Sequence, residues 1–246
     1  MENNVNSATT NTELSDLRQR LPRLADLHAR FRSASRENFF RDFEKWFNRS
    51  GVTYRYYKQI ELDLSFVPEA YWDAFASKVG AVVNYYDKKH HREWEKLFDV
   101  FNEAIGARVL KQRFGCSEVH LSPTGKGETC DWFGVASCHE HYLEVKTLNH
   151  SDVERRSWYG EAKLVHTTLV PAALIRKAKS SYQKAKGQLD AMPRASTARK
   201  IVLFVVNADH NFDPFDGNVS DLLLQEFDKF EVPGYSIQLA VNSPNG

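Results

Sequence analysis

The sequence predicts a mixed fold, α/β with α+β character, in which a central mixed β-sheet is flanked by helices and preceded by a mostly helical N-terminal extension. Three observations predict it. Short apolar runs at Ser117–Leu121, Cys130–Ala136 and His141–Leu148 follow one another closely enough to form a meander. A long helix-period segment follows and leads to Ile201-Val202-Leu203-Phe204-Val205-Val206, which is too apolar to be anything but a strand buried on both faces. A meander joined by a crossover helix to a buried strand gives a sheet with antiparallel and parallel pairs and helices on both faces. Residues 1–90 are assigned to the extension and 91–246 to the sheet-bearing core.

Residues 1–11 are rich in Asn, Thr and Ser and are expected to be disordered. Leu14, Leu17, Leu21, Leu24, Leu27 and Phe31 recur at spacings of three and four, the mark of an amphipathic helix. Phe39, Phe40, Phe43, Trp46 and Phe47 form the stripe of a second helix ending near Gly51, and such a stripe is read as core. Val52, Tyr54, Tyr56, Ile60, Leu62 and Leu64 all fall on even numbers, so one or two short strands are expected there. Pro68 suits the first position of the next helix, which is expected to run to about Tyr86. The core begins near His90, with a helix from Trp94 to Phe114 that Gly115 closes as a C′ glycine. Pro123–Gly127 reads as a turn, Leu174–Met192 as a basic helix, Leu222–Phe230 as a helix and Tyr235–Val241 as the last strand.

Composition narrows the class. Apolar residues make up 42% of the 246 and charged residues 26%, ordinary values for a globular chain. No window approaches the roughly 18 apolar residues of a membrane span, so no membrane partner is expected. The polar start, Met1-Glu2-Asn3-Asn4, lacks the layout of a secretory signal, and Cys116, Cys130 and Cys138 make no disulfide framework, so a cytoplasmic location is expected. The net charge of +1 hides an asymmetry. Pro171–Lys200 carries eight Lys/Arg against Asp190, giving +7, while Asn207–Glu231 carries seven acids against Lys229, giving −6. A basic segment of that kind suits a phosphate backbone, although solvated helix faces carry similar runs.

The chemistry concentrates in Asp131-Trp132-Phe133 and, thirteen residues after Asp131, Glu144-Val145-Lys146. Side chains alternate along a strand, so Glu144 and Lys146 share one face and a hairpin brings Asp131 beside them. Two carboxylates and an ammonium on one sheet face make a divalent-metal site with a charge stabiliser, the chemistry of phosphodiester hydrolysis. Lysine suits the second role as a compact point charge.

In this element order, Asp131 and Glu144-Val145-Lys146 on the second and third strands resemble the PD-(D/E)XK nuclease superfamily, the restriction-endonuclease-like fold, over residues 93–206. Cys130-Asp131 stands where the family has Pro-Asp. The resemblance implies a Mg²⁺- (or Mn²⁺-) dependent nuclease, with DNA as the expected substrate in restriction, repair or anti-phage defence. It assigns Asp131 and Glu144 as metal ligands and Lys146 as the catalytic lysine. Glu103, on the helix before the first strand, takes the place of a third metal-binding carboxylate, a local pattern similar to that of Holliday-junction-resolvase-like members. The helix after the third strand often adds a polar residue to the site, and Gln188 and Lys184 are the choices here. Phosphate contacts are expected from Lys177, Lys184 and Lys186, and from Arg155 and Arg156 beside Trp158 in the long 149–170 insertion. Double-strand cleavage at a defined site suggests a two-fold homodimer. The alternative is a catalytically inactive protein of the same fold that binds nucleic acid or a protein partner.

Rival constellations are weaker. Cys130, Cys138, His139 and His141 are potential zinc ligands, but they lack a paired Cys-x-x-Cys knuckle. Gly125-Lys126-Gly127 fails the phosphate-loop pattern, which needs a glycine at His120 and Ser or Thr at Gly127. Glu128 is read as a turn residue and Asp209, Asp213 and Asp216 as a solvated acidic loop.

Overall fold

A computed structural model describes residues 16–33, 38–43, 52–85, 94–122, 129–149, 172–192, 197–207, 224–229 and 234–242. The chain divides into two compact units, Met1–Ala104 and Ile105–Pro244. Several expectations lie outside the described residues: the tail 1–11, Trp46 and Phe47, His90, the 123–127 turn, Glu128, residues 150–170 of the insertion, and the acidic stretch 209–216. No helix among the described residues is long and apolar enough to cross a membrane.

The first unit is helical. A helical turn at 16–20 leads into α1 (Pro22–Phe31), with Pro22 at the helix start, where its missing N–H costs nothing. A short 3₁₀ helix, Phe39–Asp42, is capped by Asn38, whose Oδ1 accepts the Phe40 N–H at 2.8 Å. Next come α2 (Val52–Ser65) and α3 (Glu69–Val82), followed by α4 (Glu95–Gln112), whose residues to Ala104 belong to this unit. The described part of the aromatic stripe, Phe39, Phe40 and Phe43, packs into the core as expected. Phe40 and Phe43 are buried, and Phe39 makes edge-on contacts with Trp94 and Phe98, both at 5.7 Å between ring centres.

Residues 52–64 correct the sequence reading, for they form helix α2 rather than strands. The even-numbered apolar residues satisfy period two, but the side chains the fold buries are Tyr57, Ile60, Glu61, Asp63 and Leu64, at helical spacing. Leu62, inward on the strand reading, is 45% exposed. Pro68 sits one position earlier than expected, as the N-cap of α3.

Glu61 shows why a carboxylate belongs in that buried set. Its oxygens accept the backbone N–H groups of Arg23 and Leu24, each at 2.9 Å, and so cap the first turn of α1 from another helix. Burial raises its pKa above the ordinary 4.5, with the two N–H bonds opposing. Protonation is thus easier in the folded chain. The stability Glu61 contributes through this shift is full below pH 4.5 and falls as pH rises through the raised value. Glu61→Ala leaves two inward N–H groups without their acceptor and should cost about 2 kcal/mol. Urea unfolding of the two proteins checks this, with Glu61→Gln expected to cost less.

The second unit holds a five-stranded sheet of order β1-β2-β3-β4-β5: β1 (Glu118–Leu121), β2 (Trp132–Ala136), β3 (His139–Leu148), β4 (Arg199–Asn207) and β5 (Tyr235–Asn242). The first three strands form an antiparallel meander, and β4 and β5 run parallel to β3. Gly115, at φ +64°, ends α4 as expected. The β2–β3 turn is tighter than the sequence reading, with Ala136 paired to His139 and only Ser137 and Cys138 between them. Both have positive φ (47° and 67°), the geometry whose twist matches a two-residue hairpin.

Helices cover both faces. The Ile105–Gln112 half of α4 lies over Trp132, Leu143 and Val145, with Gly106 at the closest approach. The crossover helix α5 (Ala172–Asp190) buries Leu174, Ala178, Tyr182, Ala185 and Leu189 against Tyr142, Leu148, Val202, Phe204 and Val206 on the other face. Phe227 stacks on Phe204 at 4.6 Å. The apolar run from Ile201 to Val206 is buried throughout, as its composition required.

Candidate functional site

Strand alternation in β3 splits its residues between the two helical layers. Leu143 and Val145 face α4, while Tyr142, Glu144, Lys146 and Leu148 face α5. A carboxylate and an ammonium therefore sit in the layer between sheet and helix, where most neighbours are apolar. Glu144 is 2% exposed, and the Lys146 ammonium donates to Glu144 Oε1. A charge pair this deep is costly to desolvate and is retained only with close geometry and further hydrogen bonds.

Those further bonds come from α5 and from the chain before β2. Lys146 Nζ donates to Gln188 Oε1 at 2.7 Å, and Gln188 Nε2 donates to the Thr129 carbonyl at 3.1 Å. Gln188 therefore fixes the ammonium and ties the end of α5 to the approach of β2. Asp131 stands immediately before β2. Its N–H donates to the Leu143 carbonyl at 3.1 Å, and its Oδ2 accepts the Val145 N–H at 2.8 Å. The two bonds bracket Glu144, so the Asp131 side chain extends the ladder ahead of the first residue of β2. The neighbouring Cys130 thiol is pushed up to about 11, chiefly by burial. Ser122 opposes that shift by hydrogen bonding, while the charges of Asp131 and Glu144 add to it, so both carboxylates act on one buried atom.

The other expected site residues divide. Lys184 is exposed, as are Arg176 and Lys179, which leaves α5 with a basic outer face. Lys177 donates to the Asn149 carbonyl at 2.9 Å and Lys186 to Asp190 Oδ2 at 2.8 Å, so both are engaged within the fold. Glu103 belongs to the first unit, where its Oε2 accepts from Lys78 Nζ at 2.6 Å. Arg155 and Arg156 lie outside the described residues.

Among the described residues no three His, Cys, Asp or Glu gather as a metal cage. The donor set still fits a hydrated Mg²⁺ or Mn²⁺. Asp131, just before β2, and Glu144, on β3, are hard oxygen donors, and such ions are commonly held by one or two carboxylates, with water and substrate phosphate completing the shell. The zinc candidates do not converge: Cys130 bonds Ser122 and the Trp132 carbonyl, whereas Cys138 is exposed in the turn.

Two participants carried no signal in the sequence, the Thr129 carbonyl and the Val145 N–H. Both are backbone groups, which any residue type supplies. Comparison with family models, curated proteins and solved structures finds no match for this chain.

Proposed function

We propose that the chain is a Mg²⁺- or Mn²⁺-dependent nuclease with a PD-(D/E)XK-type site on a restriction-endonuclease-like core, acting on DNA. The observation that carries this is the placement of the Lys146 ammonium between Glu144 and Gln188, on the strand that Asp131 brackets. A bound divalent ion supplies Lewis-acid charge and a water of lowered pKa. Asp131 and Glu144 would hold that ion. The Lys146 ammonium meets the negative charge that grows on the phosphate oxygens as water attacks. Gln188 is a positioning residue, aiming Lys146 through its Oε1. Gln188→Ala should lower kcat about tenfold with KM little changed, the pattern of an interaction made in the transition state.

A second reading has its own observation. The outer face of α5, with Arg176, Lys179 and Lys184 exposed, suits phosphate contacts that need no catalysis. One experiment separates the two. Mn²⁺ is titrated into wild type and Glu144→Gln while the same samples are scored for cutting and for binding a labelled duplex. Nuclease chemistry requires that wild type bind Mn²⁺ and cut, and that Glu144→Gln lose both yet still bind the duplex. Duplex binding with neither Mn²⁺ uptake nor cutting in wild type would establish the binding module instead.

A further inference from the structure

The parallel run of β3, β4 and β5 brings their first residues to one end of the sheet, where register pairs His141 with Arg199 and Lys200 with Tyr235. A cleft of about 430 Å³ opens there, lined by His139, His141, Thr197, Arg199, Gly234 and Tyr235 among others. His139 lies five residues before Glu144 on β3, so the two positions are roughly 17 Å apart at about 3.3 Å per residue. Being odd-numbered and even-numbered, they also take opposite faces of the strand.

We propose that this cleft binds a phosphomonoester, with its phosphate on Arg199, His139 and His141, separately from the Asp131–Glu144–Lys146 cluster.

The charge balance points to an anion. Among the described residues that line it, none is a carboxylate. The nearby lysines are matched within the fold, since Lys186 and Lys200 both meet Asp190. Arg199 differs. It is exposed, its guanidinium lies 4.8 Å from the centre of the Phe114 ring, and no ion pair to it is found among the described residues. Stacking on an aromatic occupies the flat face of a guanidinium and leaves its N–H edge for bidentate contact with an oxyanion. His139, also exposed, lines the same cleft. His141 Nδ1 lies 3.2 Å from the His139 carbonyl, which places the proton of the neutral ring on Nδ1. Burial, and then the charges of Arg199 and His139, hold its pKa below the usual imidazole value, so Nε2 becomes a donor only when a bound phosphate's own charge offsets them.

Size favours more than inorganic phosphate. The volume lies within the range of small-ligand sites, roughly 300–1,000 Å³. Gly234, at φ +89°, keeps a side chain off the rim. A phosphate with a sugar or nucleoside attached fills such a space.

The test is calorimetric titration of adenosine 5′-monophosphate, adenosine and inorganic phosphate into the full chain. Saturable binding of the monophosphate is expected, with adenosine at least about tenfold weaker, the scale of a charge-assisted contact. Arg199→Gln should weaken the monophosphate about tenfold or more and the exposed His139→Gln about threefold, with unfolding midpoints unchanged. Glu144→Gln should leave this affinity intact, so failure of the nuclease reading would not touch it. Equal affinity for adenosine and its monophosphate, no saturation by the monophosphate, or unchanged affinity in both cleft variants would overturn the proposal.

Discussion

Replacing Lys146 with methionine is expected to slow nucleic-acid cleavage by roughly 10²–10³-fold, the usual loss when one preorganised charge stabiliser is removed. Methionine keeps the length of the stem and discards the charge together with the N–H donors to Glu144 and Gln188. Duplex binding should stay within about twofold, because affinity for nucleic acid rests on many cations against the backbone. The substitution also has a structural cost. It removes the ammonium from beside a carboxylate whose side chain is 3% exposed, and breaking such a pair costs about 3 kcal/mol or more. Adding Glu144→Gln discards the second charge and should restore part of the unfolding midpoint. It should restore none of the cleavage. Recovery of both together would mean that Lys146 served only the fold.

Gly106→Val should be the most damaging single change to the sheet-bearing unit. A Cβ at Gly106 would stand 2.8 Å from both Leu143 Cδ2 and Trp132 Cδ1, and 3.0 Å from Val145 Cγ2. Leu143 and Trp132 are wholly buried, so neither can swing into solvent, and α4 must lift from the sheet. Overpacking of this kind costs about 3 kcal/mol, and β-branching forfeits most of the helix-propensity gain on leaving glycine. Gly106→Ala gains about 1 kcal/mol in propensity against the same clash and should lose less. Thermal unfolding read from the Trp132 environment orders the three proteins. A valine variant as stable as wild type would contradict this packing. Because Val145 donates its N–H to Asp131, a shift of α4 should also reach the candidate site.

Much of the sheet was legible because burial on both faces leaves little choice of residue. The run Ile201–Val206 has no helical or loop alternative, and Gly115 marks a helix end through its positive φ. Residues 52–64 were misread because an alternating apolar pattern can also sit on a helix, and the residue that settles the matter, Glu61, is polar. Its inward position depends on the first turn of α1, roughly forty residues away in sequence and invisible to local periodicity. The hairpin turn was drawn too long because His139 and Glu140 look like loop residues, yet they extend β3. At the candidate site, Glu144 and Lys146 were legible from strand alternation, and Gln188 from the family resemblance. The Thr129 and Val145 backbone contacts were not, since hydrogen bonding by the main chain leaves no trace in residue identity. The cleft at His139 and Arg199 joins residues far apart in the chain, which the parallel register alone brings side by side.

The most direct measurement is cleavage of end-labelled duplex DNA, single-stranded DNA and RNA by the wild-type chain, with Mg²⁺ or Mn²⁺ and with chelator. A metal-dependent nuclease cuts at least the duplex, stops when the ion is chelated and resumes when it is returned. Intact substrates under both metals, or cutting that persists in chelator, would contradict it.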